Sequence, residues 1–132
     1  MFDTSDPLRV EYLDGHEWKL LEDFCYFDEE GAPGETDGTF IDVPAGFVTD
    51  FASIPRVLWN ILPPTGPYGK AAVIHDYLYR TGKAEGRPVP KSYADGVFYR
   101  AMRELGVGFL RARSMWLAVR LFGRGIWHED AR

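Results

Sequence analysis

The spacing of apolar residues changes character part-way along the chain, and that change limits the fold more than any other feature. In the first third, apolar side chains recur at every second residue. Trp18, Leu20, Phe24 and Tyr26 in EWKLLEDFCYF, interrupted by Glu22, have the period of a half-buried strand and predict one over 17–27. From Gly69 onward the spacing is helical and predicts helices over approximately 70–81, 92–105 and 109–122, separated by TGKAEGRPVP and by Gly106-Val107-Gly108. Strands first and helices afterwards define an α+β fold, a small antiparallel sheet from the N-terminal third packed against three to four helices from the C-terminal two thirds.

The punctuation fills in the rest. DEEGAPGETDG reads as a solvated loop joining the first strand to a second in TFIDV, with RVEYL as a candidate third. In FVTDFASIPRVLWNI, Ser53 can cap a short helix starting near residue 54 and Pro55 can occupy its first turn. ILPPTGPYG must end that helix. A length of 132 residues fits a single domain over 1–132 with one core, and 45% hydrophobic with 15% aromatic residues excludes the composition of a disordered chain. The start, MFDTSDPLRV, has no secretory or anchor character, no apolar run approaches the roughly 20 residues of a membrane span, and Cys25 has no second cysteine to pair with. Synthesis in a reducing bacterial cytoplasm is the expectation.

Charge is divided along the chain. Residues 1–50 carry 14 Asp/Glu against 2 Lys/Arg, and the remainder carries 6 against 13. Either the two halves attract each other within the fold or a basic face meets an anionic surface. On the last predicted helix Arg113, Trp116 and Arg120 recur at i, i+3 and i+7, with Arg124 continuing the row. These residues can grip an anionic lipid or envelope surface, or pair with the acidic N-terminal half. No nucleic-acid motif accompanies them, so no nucleic acid is expected. His16 and His128 form no ligand spacing, which argues against zinc.

The residues with chemical potential lie in AAVIHDYLYR. A turn of about 100° per residue puts Ala71, Ile74, His75 and Leu78 on the inward face of its helix, with Tyr79 beside them and Asp76 at the edge. On the next helix Asp95 flanks the apolar stripe of Ala94, Val97, Phe98, Ala101 and Leu105. A carboxylate so placed needs a donor from a neighbouring element, and His75 or Tyr79 are the natural ones. A histidine oriented by a carboxylate can take a proton from water, while Asp76 stays available for a cation. The same pattern also describes a core histidine satisfied by one hydrogen bond. Asp50, among Phe47, Val48, Phe51 and Ile54, is either a second metal ligand or a brace for the turn into the helix. Ser53 lies in no G-x-S-x-G pattern, which argues against a serine hydrolase.

Together the runs PAGFVTDFASIPR, AAVIHDYLYR, ADGVF and VRLFGRGIW resemble a phage and prophage domain, number 1353 of the unknown-function series, over nearly all the chain beyond residue 7. That resemblance implies a phage or prophage origin, and with it a virion-associated product with other virion proteins as partners. A second resemblance is mechanistic: HDYLY followed by ADGVF is similar to the His-Asp-x-x-Tyr helix and later Asp of phospholipase A2 enzymes. It implies that His75 activates water, Asp76 binds calcium, and Asp95 with Tyr79 holds His75. The glycine-rich calcium loop of those enzymes has no match here, so either Asp50 and the loop between Gly66 and Gly69 complete a different site or there is no metal. The function so implied is hydrolysis at the cell envelope. The alternative is a non-catalytic tail or head-tail protein in which the His-Asp-Tyr cluster only fixes helix packing.

Overall fold

A computed structural model describes residues 8–13, 17–49 and 69–122. It has the expected α+β order, antiparallel strands followed by three helices. Strands β1 (Val10–Tyr12), β2 (Trp18–Leu20) and β5 (Val48–Thr49) form one sheet in the order β1-β2-β5. Strands β3 (Phe24–Asp28) and β4 (Thr39–Val43) form a hairpin in which Phe24 faces Val43 and Asp28 faces Thr39. Alternation places Phe24, Tyr26, Ile41 and Val43 in the core and turns Cys25 and Phe40 to solvent.

The strand predicted over 17–27 is therefore two strands. Leu20 donates its N–H to Phe47 O (2.9 Å) and accepts from Gly46 N–H (2.8 Å), so its backbone is committed to the chain entering β5. Asp23 Oδ1 accepts the Ala45 N–H at 2.7 Å and holds the bend after β2. Beyond that bend the chain pairs with β4 instead. The segment TGKAEGRPVP, predicted as a separator, also pairs: β6 (Lys83–Ala84) and β7 (Arg87–Pro88) are joined by Glu85-Gly86, both at positive φ (52° and 75°).

Helices α1 (Gly69–Thr81), α2 (Lys91–Glu104) and α3 (Phe109–Phe122) follow the predicted ranges within a residue or so. α1 packs on α2 and α2 on α3, while α1 also meets β4 and β5. The end of α2 is fixed by its sequence: Gly106 takes φ +92°, its N–H reaches Arg103 O, and Val107 N–H reaches Met102 O as Val107 buries. The buried apolar residues form one cluster running from Leu20 to Val119. α1 is covered nearly all round, so Asp76, expected at the edge of the inward face, is buried with the rest. No helix among the described residues is long and apolar enough to cross a membrane.

Asp50, Ser53, the helix predicted near residue 54, the Gly66 end of the proposed calcium loop, His16, His128 and Arg124 lie outside the described residues.

Candidate functional site

Two helix faces build the site. His75 and Tyr79, one turn apart on α1, point at α2, where Asp95 stands in line with the apolar residues that bury the interface. His75 Nε2 lies 2.8 Å from Asp95 Oδ1, and the Tyr79 hydroxyl donates to the same oxygen at 2.6 Å. The other oxygen, Oδ2, accepts from Lys91 Nζ at 2.8 Å and from Arg120 Nη1 at 3.2 Å. Lys91 also donates to Val119 O and Arg120 O at 3.0 and 3.3 Å, which ties the end of α3 to the same carboxylate. The His75 ring stacks on Phe98 with centroids 4.5 Å apart and tilts against Tyr79 at 4.2 Å. The side chains of His75 and Asp95 are 0% exposed.

Protonation follows from these contacts. Burial pushes the Asp95 carboxyl up, but the hydrogen bonds from His75, Lys91 and Tyr79 outweigh it and hold the group at about 2. Burial is also the main influence on His75 and takes it below its ordinary 6.5, against the upward pull of Asp95. Burial and the Asp95 charge raise Tyr79, which stays a donor. At neutral pH the cluster is thus a carboxylate beside a neutral imidazole. A carboxylate can only accept, so Nε2 carries the proton and Nδ1 is the basic nitrogen.

Asp76, the next residue along α1, is engaged elsewhere. Its Oδ2 accepts from Thr49 Oγ1 at 2.6 Å and lies 3.4 Å from Arg80 Nε, while Arg80 Nη1 donates to Val48 O at 3.1 Å. Asp50 and the Gly66 end of the loop, the other residues proposed for a calcium site with Asp76, lie outside the described residues. A guanidinium already balances the carboxylate, calcium takes six to eight oxygens, and no group of three or more His, Cys, Asp or Glu among the described residues could hold a metal ion. Cys25 lies on the outer face of the hairpin, where desolvation of the thiol and the neighbouring Asp42 push it up to about 12.

The cluster thus joins His75, Tyr79 and Asp95, and adds Lys91 and Arg120, which sequence reasoning missed. Lys91 was findable, since it precedes Asp95 by one helical turn. Arg120 was read with Arg113 and Trp116 as one row, yet it turns to Asp95 while Trp116 is half-buried and Arg113 exposed. Among the described residues Arg120 pairs with Asp95 and with no acid of the N-terminal half. That pairing is made instead by Arg87 with Glu35 and by Arg100, which grips Asp28 through Nε (3.2 Å) and Nη2 (3.0 Å) and reaches Glu30 at 3.0 Å. Tyr93 OH adds a 2.7 Å bond to Asp28, which is buried at the end of β3. This second cluster fastens the hairpin to α2, with a cavity of about 350 Å³ beside it lined by Tyr26, Asp28, Glu29, Glu30, Arg100 and Glu104.

Fold and site together define a class: an α+β domain whose packed helices bury a His-Asp-Tyr cluster. A family model described as "Protein of unknown function (DUF1353)" matches residues 18–119, and the chain belongs to that family. It is similar to "Uncharacterized protein y4jT" of Sinorhizobium fredii (strain NBRC 101917 / NGR234), at 34% identity over 108 residues, covering 80% of this chain. The match spans 29% of that relative's length. No solved structure matches the chain.

Proposed function

We propose that this chain is a hydrolase of phage or prophage origin acting on phospholipid of the cell envelope, with His75 as general base. The observation that carries the reading is the convergence of His75 and Tyr79 on Asp95 Oδ1, which fixes the imidazole with Nε2 as donor and Nδ1 basic, while burial keeps the ring neutral at neutral pH. In the proposed step Nδ1 takes a proton from water as the water oxygen bonds to the ester carbonyl carbon. The imidazolium then returns that proton to the departing alkoxide as the carbon–alkoxide bond breaks. Asp95 balances the transient positive charge, and Tyr79, Lys91 and Arg120 keep it ionised and fixed. The phage origin is supported by the sequence resemblance alone.

The test is release of fatty acid from phospholipid vesicles by the purified chain, in calcium and in EDTA, beside His75→Gln. Release that falls at least about a hundredfold in a folded His75→Gln variant supports the reading. No release by the wild-type chain under either condition overturns it.

One observation favours the other reading, a non-catalytic tail or head-tail component. His75 and Asp95 have no solvent exposure, and each Asp95 oxygen has two donors, as suits a cluster that fixes packing. Under that reading His75→Gln changes stability only, and mass spectrometry of purified particles finds the chain.

A further inference from the structure

Helix α3 is amphipathic in an unusual sense, because its outer face is apolar as well. Ala112, Met115 and Val119 bury one side against α2. Diametrically opposite stand Leu110, Leu117 and Leu121, 77%, 51% and 61% exposed, within an arc of about 40°. Arg113 flanks this row on one side and Arg111 on the other, both exposed. Residues 105–128 contain four arginines and no Asp or Glu, although the chain holds 20 acidic residues.

We propose that the outer face of α3 docks on an anionic lipid bilayer, lying in the interface with the leucine row among the acyl chains and Arg111 and Arg113 at the headgroups. An exposed apolar row bordered by arginines is the composition of an interfacial helix. Charge decides between this occupant and a second copy of the chain. A two-fold contact through the row sets the Arg111 and Arg113 of each copy near those of the other, with no acid on α3 to pair them. Anionic headgroups supply the missing negative charge at the right border of the row. The surface differs from the Arg113-Trp116-Arg120 row legible in sequence, because Arg120 is spent on Asp95. It is independent of the hydrolytic reading.

The experiment is co-sedimentation of the full chain with vesicles of mixed phosphatidylglycerol and phosphatidylcholine and of phosphatidylcholine alone, beside sedimentation equilibrium without lipid. Binding to the anionic vesicles is expected, weakened by salt, reduced about fivefold in Arg113→Ala and abolished in Leu117→Ser/Leu121→Ser. These residues are exposed, so circular dichroism should stay unchanged. No binding to anionic vesicles, or equal binding to both kinds, overturns the proposal. So does a lipid-free dimer that Leu117→Ser/Leu121→Ser dissolves. Catalysis is not read in this experiment, so its failure leaves the hydrolytic reading standing, and the reverse also holds.

Discussion

Asp95→Asn is the perturbation whose cost the structure defines best. The substitution keeps shape and leaves Oδ1 able to accept from His75 and Tyr79, but it turns Oδ2, which accepts from Lys91 and Arg120, into an amide donor facing two cations. Arg120 is partly exposed and can turn to solvent, whereas Lys91 is 14% exposed and keeps only the two α3 carbonyls. Breaking a buried pair from one side costs about 3–5 kcal/mol. The escape open to Arg120 and the carbonyls left to Lys91 put this case near the lower end, about 3 kcal/mol, or a fall in Tm of roughly 10 °C. Urea unfolding followed by tryptophan fluorescence measures it. Adding Lys91→Met removes the stranded cation, so the double variant should cost well under the sum of the singles, with a coupling of at least about 1.5 kcal/mol. A loss below about 0.5 kcal/mol for Asp95→Asn, or strict additivity with Lys91→Met, would refute the account of Asp95 as a carboxylate held by buried cations.

Tyr79→Phe deletes the 2.6 Å bond to Asp95 and should cost about 1.5 kcal/mol in the same assay, with hydrolysis reduced far less than in His75→Gln. Stability should fall as pH drops below 6.5, because an unfolded chain protonates a histidine that the folded chain keeps neutral. A second loss follows as pH falls from 3.8 toward about 2, where the depressed Asp95 protonates. His75→Gln should remove the first limb from a plot of urea midpoint against pH, and an identical limb in the variant would count against a buried neutral His75. Arg100→Met strips Asp28 of its two guanidinium bonds and should cost about 3 kcal/mol in urea, part of which Asp28→Asn in the same chain recovers.

The helical half was legible because its information is local. Spacing alone put His75, Tyr79 and Asp95 on faces that meet, and apolar stripes as regular as Ala94, Val97, Phe98 and Ala101 leave little choice of face. What escaped depends on contacts distant in sequence. The break after Leu20 follows from hydrogen bonds to Gly46 and Phe47, which no window around residue 20 contains. Asp76 looked like an edge residue because a lone helix gives no sign that β5 and Thr49 will cover it. Arg120 reaches Asp95 only through the packing of α3 on α2, and Asp28 was read as loop although Arg100, far along the chain, holds it at the end of a strand.

At the centre of the account stands a neutral His75 protonated on Nε2 by its bond to Asp95, with Nδ1 basic. Nitrogen-15 NMR of the ring, recorded on the folded chain as a function of pH, reads this state directly. The account predicts a protonated Nε2 and an unprotonated Nδ1 at neutral pH, persisting below the ordinary histidine range. A ring protonated on Nδ1, or an imidazolium at neutral pH, would contradict it.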